Sequence, residues 1–451
     1  MELLPPHEAR EILDEAADLF RQGHIQSALT AYSYIASNLA NHTAQPVREM
    51  RAEAYFNKGI CLKEIGDSGL ALTTLDEILT EFSSDQAPRV REVMSMALVC
   101  KGVLYAALGD LGSEIASYEK LLTIFGDDES PRVREQVAKG LLYSGFTRNR
   151  TQEWEKEIAA YNEIVLRFGD DLEPEVREQV AVALLNRGEV FESKGDWDQE
   201  IAAYDEIVRR FGDDREPEMR ERVATAILNR GGVFGRKGDW DQETLAYEEL
   251  IKRFGDDDET EIEALVAEAF LCKVKALESN ERFAREIDAC NEILARFGDS
   301  NTPEIREIVA WALLLKGEAL VVGRESEREI SAFDEVVSRF GDDDTPQIRE
   351  IVAHALFAKG QTFRRIGEWE LEIATYDEIC SRFANDKTLE VREVLALALL
   401  NKGGTLGQIG EAKLEITTYD EILARFDESD TPQVRQILEM DILYKSESGD
   451  E

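Results

Sequence analysis

Apolar residues recur at helical spacing in two neighbouring stretches of residues 174–214. In the first stretch they are Val176, Val180, Ala183, Leu184 and Phe191. In the second stretch they are Trp197, Ile201, Tyr204, Val208 and Phe211. This spacing predicts amphipathic helices, because one helical turn takes about 3.6 residues. Gly195-Asp196 separates the stretches, so the unit is predicted to be a helical hairpin, whose helices we call helix A and helix B.

The hairpin pattern repeats every 43 residues without insertion or deletion. The period is marked by the phenylalanine that closes each helix B: Phe82, Phe125, Phe168, Phe211, Phe254, Phe297, Phe340, Phe383 and Phe426. Leu39 stands one period earlier. The unbroken period predicts one continuous domain over residues 7–445, with ten hairpins, a capping helix from Pro432 to Lys445, and flexible tails at 1–6 and 446–451.

No segment alternates with period two for long enough to form a strand, so the predicted fold class is all-α. Helix A is apolar nearly all round, and a lone hairpin cannot bury both of its faces. Stacking on neighbouring hairpins can bury them, which predicts an α-solenoid of helix-turn-helix repeats.

Helix boundaries follow from proline, threonine and glycine. Pro174 suits the first turn of helix A, where a missing N–H costs nothing. Thr302, Thr345 and Thr431 precede the equivalent prolines and are predicted N-caps. Gly195 stands in the turn, and Gly212 follows helix B, where we expect a left-handed C-cap. Helix A is predicted to have roughly 20 residues and helix B about 15.

One stretch of the unit resembles a known repeat family. Ala181-x-Ala183-Leu184-x-Asn186-Arg187-Gly188, with Phe191, Gly195, Tyr204 and Ile207 after it, resembles the tetratricopeptide repeat. The resemblance runs from about residue 8 to 445 and implies a right-handed solenoid whose helices A line a concave groove. It departs from the family in its period, which is 43 residues here against 34 in the family.

Composition narrows the function classes. The chain has 451 residues, 43% of them apolar, and a net charge of −41. This apolar content excludes global disorder. The acidity argues against direct binding of nucleic acid or an anionic membrane. We expect no membrane span and no secretory signal, because no long apolar run occurs and the N-terminus lacks a cationic segment followed by an apolar one.

Residues for catalysis or metal binding are not apparent in the sequence. The five cysteines form no CxxC pair, which favours reduced thiols and a cytoplasmic location. The four histidines lack metal-ligand spacing, and no phosphate loop, GxSxG or HExxH occurs. The sequence therefore predicts no catalytic residue, no metal and no cofactor.

Charged residues repeat beside the apolar stripes. On helix A they are Lys58, Lys101, Arg187, Arg230, Lys273, Lys316, Lys359 and Lys402. On helix B they are Glu114, Glu157, Glu200, Glu243, Glu286, Glu329, Glu372 and Glu415. We predict half-buried ion pairs within each hairpin, since an unpaired buried charge is costly. The alternative, a row of catalytic groups, is disfavoured because catalytic groups occur once in a chain.

A second basic set precedes the apolar stripe of helix A. Its members are Arg48, Arg91, Arg134, Arg177, Arg220, Arg306, Arg349, Arg392 and Arg435, and Glu263 is the one break. The favoured interpretation is a salt bridge to the preceding helix B, through residues of the Glu77, Glu163 and Glu206 type. A basic strip that binds a partner is the alternative.

Three further features have a structural and a functional interpretation. The Gly-Asp-Asp loops after helix B are predicted to cap the next helix dipole, because they lack the ligand spacing of a calcium loop. The tryptophans that open helix B, such as Trp154, Trp197 and Trp369, are predicted to be core. Cys272 and Cys290 fall in one irregular unit, where a redox pair or a bend is the alternative to drift in a tolerant repeat.

Candidate binding residues come from helix A. The resemblance implies that Asn57, Asn186, Asn229 and Asn401 hold the backbone of a bound peptide. An amide offers a donor and an acceptor together, although it can equally satisfy local helix groups. Other positions of helix A differ from unit to unit, and their basic members are predicted to form a cationic lining: Arg150, Arg236, Lys275 and Arg365.

The predicted function is a non-catalytic scaffold or adaptor that binds a protein or an extended peptide in the groove. One alternative is an acidic solenoid that sequesters a basic ligand or mimics nucleic acid. Another is a regulatory subunit of an enzyme on a different chain.

Overall fold

The computed structural model describes residues 4–40, 42–257 and 259–426, together with Val434 and Gln436. Regular structure in these residues is helical throughout. The helices are α1 Pro6–Arg21, α2 Ile25–Asn38, α3 Gln45–Ile65, α4 Ser68–Glu81, α5 Pro88–Leu108, α6 Leu111–Phe125, α7 Pro131–Arg150, α8 Trp154–Phe168, α9 Pro174–Lys194, α10 Trp197–Phe211, α11 Pro217–Lys237, α12 Trp240–Phe254, α13 Thr260–Ser279, α14 Phe283–Phe297, α15 Pro303–Gly323, α16 Ser326–Phe340, α17 Pro346–Ile366, α18 Trp369–Arg382, α19 Leu389–Gln408 and α20 Ala412–Arg425.

The twenty helices of the described residues pair into the ten predicted hairpins, with helix A odd-numbered and helix B even-numbered. Contacts divide the chain into two compact units, Met1–Ala226 and Ile227–Glu451. Leu4 already packs in the first core, and α1 begins one residue before the predicted domain start. The predicted capping helix from Pro432 to Lys445 lies outside the described residues except for Val434 and Gln436, and the tail 446–451 lies wholly outside them.

In seven of the ten hairpins of the described residues, a glycine of helix A makes a close contact with an aromatic ring of helix B. A Cβ atom on Gly188 would lie 2.6 Å from a ring carbon of Tyr204. Gly317 has the same relation to Phe333, at 2.3 Å. The glycine therefore lets the ring rest on the helix backbone, and any larger residue would force the helices apart.

The seventh hairpin exchanges the sizes of these two partners. Val274 stands in the glycine position and Cys290 in the ring position, and both are fully buried. A larger residue on helix A thus meets a smaller one on helix B, which keeps the core volume nearly constant. Burial raises the pKa of the Cys290 thiol to about 12, so the thiol stays protonated and weakly reactive. Packing thus explains the irregular residues of the seventh hairpin. Cys272 and Cys290 are both free thiols.

Glycines between helices A and B adopt a left-handed backbone, which the sequence predicts only for the glycine after helix B. Gly195 has φ 69°, and Gln152, Glu281 and Arg324 occupy the same position in other hairpins with φ of 54–58°. The prediction for Gly212 is wrong, because its φ of −58° is right-handed helical. A steric reason explains the glycine at this position. In the preceding hairpin the equivalent residue is Gly169, and a Cβ atom on it would lie only 2.5 Å from the Val165 carbonyl oxygen. The bare Gly169 carbonyl accepts a hydrogen bond from Arg210 of the next hairpin at 2.8 Å.

Arginine of helix A clamps the loop that follows helix B. Arg134 contacts Asp171 through two hydrogen bonds of 2.7 and 3.1 Å. The same pairing recurs between Arg48 and Asp85, Arg91 and Asp128, Arg177 and Asp214, Arg306 and Asp343, and Arg349 and Asp386. The arginines are thus clamps, but the predicted partner, a glutamate on the preceding helix B, is wrong. Where Glu263 replaces the arginine, Ser300 replaces the aspartate, so both partners are lost together.

The clamped aspartate also organises the start of the next helix. Asp343 accepts a hydrogen bond from the backbone N–H of Thr345 at 3.0 Å, and this bond and the neighbouring Arg306 lower its pKa. Thr302 and Thr345 occupy the predicted N-cap positions, but their side chains accept no capping bond. Thr431 and Arg435 lie outside the described residues.

The predicted pairing of the helix A cations with the Glu200-type residues is wrong. Arg187 contacts Glu206 at 2.9 Å, and Arg230 contacts Glu249 at 2.5 Å. Lysines at this position reach aspartates of the preceding helix B: Lys359 contacts Asp334 and Lys402 contacts Asp377. The reason is the antiparallel register, because Gly188 lies opposite Tyr204 and its neighbour Arg187 therefore lies near residue 206, beyond reach of residue 200.

The predicted burial of the helix B tryptophans is also wrong. Trp154, Trp197 and Trp369 are 41%, 40% and 37% exposed. They occupy the first residue of helix B, where the hairpin has just turned and only one side of the ring meets the core.

Loss of a clamp arginine should destabilise its hairpin. Arg134→Ala removes both hydrogen bonds that Arg134 donates to the buried Asp171 carboxylate, and should lower the free energy of unfolding by about 1–3 kcal/mol. Urea unfolding followed by circular dichroism measures this. Arg132→Ala is the control, because Arg132 is 69% exposed and 3.6 Å from its partner Glu92, and we expect a change within about 0.5 kcal/mol. Equal effects of the two variants would contradict the clamp.

The size exchange in the seventh hairpin predicts a compensating double mutant. Cys290→Tyr should destabilise the protein by overpacking against Val274, and Val274→Gly should do so by opening a cavity. The double variant restores the pairing of the other hairpins and should couple by more than about 1 kcal/mol. Thermal unfolding of the four proteins measures this coupling, and additive single effects would show that the two side chains do not pack together.

Candidate functional site

Helices A stack on one another within each unit. In the first unit α3 contacts α5 and α5 contacts α7, and in the second α13 contacts α15, α15 contacts α17 and α17 contacts α19. Equivalent residues of successive helices A therefore lie side by side. We call the positions equivalent to Val182, Asn186, Glu189 and Ser193 the helix A face, since they share one stripe of the helix and are half-buried or exposed in α9.

The chemistry of this face changes along the chain. At the Glu189 position, three successive hairpins of the first unit carry apolar residues, which we call the apolar strip: Ile60, Val103 and Phe146. Val103 is 36% exposed and Phe146 39% exposed. In the second unit the same position carries Lys275, Glu318 and Gln361, all of them exposed. Constant residues of the repeat are thus buried, while the exposed residues differ between hairpins.

Aromatic residues support one end of the apolar strip. The Phe146 ring lies 6.3 Å from that of Tyr143 and 6.5 Å from that of Tyr161, measured between centroids. Tyr118 lies 6.1 Å from Tyr143. Contacts of this kind between tilted rings stabilise their orientation. The neighbouring tyrosine rings therefore hold the partly exposed Phe146 ring in place.

A cavity of about 320 Å³ opens in the fourth hairpin, between α6, α7 and α8. Its lining includes Tyr118, Leu141, Ser144 and Arg148. Ser144 is the position at which other hairpins carry a long lysine or arginine, so the cavity is the space left by that side chain.

The four asparagines predicted to bind a peptide are half-buried on the helix A face. The Asn186 side-chain amide donates to the Val182 carbonyl at 2.8 Å, and Asn401 accepts a hydrogen bond from Arg364 at 3.0 Å. These two amides already have partners within the repeat, as the local interpretation predicts. A peptide-binding role of Asn57, Asn186, Asn229 and Asn401 stays a prediction.

The four basic residues predicted to line the groove are exposed. Arg150 lies 3.8 Å from Glu114, and Arg365 contacts Glu329. Lys275 lies over the Trp311 ring, 5.4 Å from its centroid. Arg150 and Arg365 thus approach glutamates of the preceding helix B, and a binding role for these residues and Arg236 stays a prediction.

Buried glutamates of helix B are the feature that sequence reasoning assigned to the wrong partners. All are at most 8% exposed: Glu114, Glu157, Glu200, Glu243, Glu286, Glu329, Glu372 and Glu415. The donors that reach them lie on their own helix, on helix A of the same hairpin, as for Asn149 and Glu157 at 3.2 Å, or on the next helix A. Tyr161 donates to Glu157 at 3.2 Å, and Thr405 donates to Glu372 at 2.8 Å. Burial raises the pKa of both carboxyl groups despite these bonds.

The described residues contain no group of three or more histidine, cysteine or acidic side chains that could hold a metal ion. The loop aspartates instead contact arginines, as in the clamp of Asp171 by Arg134.

Within the described residues, every helix is too short or too polar to cross a membrane.

Comparisons with known proteins identify the repeat. Residues 182–214 match the tetratricopeptide repeat family model. No curated protein matches the chain.

Solved structures that resemble the chain do so at low identity. A tetratricopeptide repeat protein from Parabacteroides merdae ATCC 43184 is 15% identical, with 68% of this chain and 98% of that one covered and a TM-score of 0.33. The apo form of RapI is 13% identical over 83% and 98% of the two chains, with a TM-score of 0.45. The apo quorum sensor NprR from B. thuringiensis is 11% identical over 84% and 99%, with a TM-score of 0.35.

The family match falls on α9 and α10, at the residues from which the repeat was first deduced. Residues 182–214 are thus a tetratricopeptide repeat, and the chain resembles that family as the sequence predicts.

Proposed function

We propose that this protein is a non-catalytic cytoplasmic scaffold that binds a protein segment along the helix A face. The observation that carries the proposal is the apolar strip on three stacked helices, in which Val103 and Phe146 are exposed and Ile60 is half-buried. Apolar side chains left half-exposed in adjacent positions favour a partner that covers them.

The spacing of the strip suits an extended or helical segment. Neighbouring helices pack about 8–10 Å apart, so three helices A offer anchor points over about 20 Å. Such anchors match alternate side chains of a strand or successive turns of a helix. The net charge of −41 favours a segment that is itself basic, through complementary potentials.

The proposal predicts that a partner contacts the helix A face and not helix B. A photo-crosslinking amino acid placed at Val103, in cells of the source organism, should capture a partner protein. The same label at Leu166 is the control, because Leu166 is an 80% exposed apolar residue on helix B of the same unit. Equal capture at both positions would contradict binding at the helix A face.

Affinity for the captured partner then separates groove binding from charge attraction. Val103→Lys should weaken binding about tenfold or more, because it places a charge at an apolar anchor, whereas Leu166→Lys should leave it unchanged. If both variants bind like wild type and affinity instead falls steeply with salt, the protein acts as an acidic sequestering surface and the proposal fails.

A further inference from the structure

One buried glutamate differs from its equivalents. Glu286 is 1% exposed, and its Oε2 atom has no hydrogen-bond partner. Several equivalents, such as Glu243 and Glu372, also have one oxygen without a partner, but their other oxygen accepts a hydrogen bond. In the next hairpin the equivalent Glu329 accepts a hydrogen bond from Thr362 at 3.0 Å and contacts the Arg365 guanidinium. Glu286 therefore lacks the contacts that its equivalent in the next hairpin makes.

Substitutions around Glu286 explain the difference. Ala319 and Val322 stand on α15 where Thr362 and Arg365 stand on α17, and Cys290 replaces the tyrosine that donates in other hairpins. Val322 is 56% exposed, so the position equivalent to Arg365 is open to solvent. The repeat has thus lost every donor to this carboxyl group while keeping the carboxyl group itself.

Two further acids take the place of the donors. Burial raises the pKa of Glu286 to about 7, and the nearby charges of Glu278 on α13 and Glu318 on α15 add to this shift. Glu318 is exposed on one side, but the surrounding protein removes much of the water from its carboxyl group. This desolvation, together with the charge of Glu278, raises the pKa of Glu318 to about 7. Lys316, which lies on α15 with Glu318, acts to lower the pKa of the Cys290 thiol, against the larger effect of burial.

We propose that Glu278, Glu286 and Glu318 form a binding site for an arginine side chain of the protein partner. The guanidinium would take the place that Arg365 takes on Glu329 in the next hairpin, in contact with the exposed carboxylates and above Glu286. A planar guanidinium can bond two carboxylates at once, which a compact ammonium ion cannot do in the same geometry. The inference rests on the proposed function, since it places one anchor of the bound segment on the helix A face.

A short peptide tests the site directly. The probe is acetyl-Gly-Arg-Gly-amide, and the matched control peptide has citrulline, which is uncharged and similar in shape. In isothermal titration at pH 7, the arginine peptide should bind about tenfold more tightly than the citrulline peptide. It should also release protons, because a bound cation lowers the pKa of partly protonated carboxyl groups. Heats in two buffers of different ionisation enthalpy measure that release.

Val322→Arg supplies the missing side chain from within the protein. This variant should abolish peptide binding and proton release. Gln408→Arg is the matched control, since it adds the same charge at the equivalent position above Glu372, which already accepts a bond from Thr405. Equal binding of both peptides to wild type, or undiminished binding to Val322→Arg, would overturn the site. Displacement of the peptide by calcium chloride at the same concentration would also overturn it, because the site would then accept any cation.

Thermal stability shows independently whether Val322→Arg reaches Glu286. An acid with a raised folded pKa destabilises the protein increasingly as pH rises from about 4.3 towards 7. Val322→Arg should therefore raise Tm more at pH 8 than at pH 5, when Glu286 is protonated. The absence of this pH dependence would refute the assigned geometry.

The outcomes also distinguish this inference from the proposed function. If a captured partner binds Val322→Arg as tightly as wild type, the arginine site fails and the scaffold proposal stands. If no partner binds the helix A face but the arginine peptide binds with proton release, the scaffold proposal fails and the site remains.

Discussion

A glycine of helix A lies against an aromatic ring of helix B in seven of the ten described hairpins, and the remaining geometry depends on this contact. Tyr204 rests on Gly188 without space for a Cβ atom. This contact fixes both the separation and the register of the two helices. The register in turn places Arg187 near Glu206 and buries Glu200 beside the ring. The exchange to Val274 and Cys290 shows that the volume of the pair is maintained even when its members change.

Long loops between hairpins would be costly to order without specific contacts. The clamp of Arg134 on Asp171 supplies such contacts, because one carboxylate ties helix A to the loop and accepts a hydrogen bond from the next helix start. Arg210 adds a bond to the bare carbonyl of Gly169. The nine residues by which the period exceeds that of the related family therefore include their own stabilising interactions.

With these contacts fulfilled inside the repeat, the helix A face is free to differ between hairpins. The apolar strip in the first unit and the acidic group of Glu278, Glu286 and Glu318 in the second are its most distinct parts. Both arise at positions whose residues differ from hairpin to hairpin, while the buried residues that hold the hairpins together stay nearly constant. Under the proposed function, substitutions on this face would change binding specificity without altering the fold, because the buried residues that build the scaffold are separate from the exposed ones.

The sequence alone determined the helices, the hairpins and the clamp arginines, because a period of 43 residues and helical spacing are local properties repeated many times. The sequence alone did not determine which side chains of different helices and loops contact one another. The pairing of Arg187 with Glu206 and of Arg134 with Asp171 depends on the antiparallel register and on the path of the loop. The exposure of Trp197 and the unpaired Glu286 likewise follow from three-dimensional packing. Those features could be decided only by the tertiary structure, since residue spacing does not record which side chains of different helices meet.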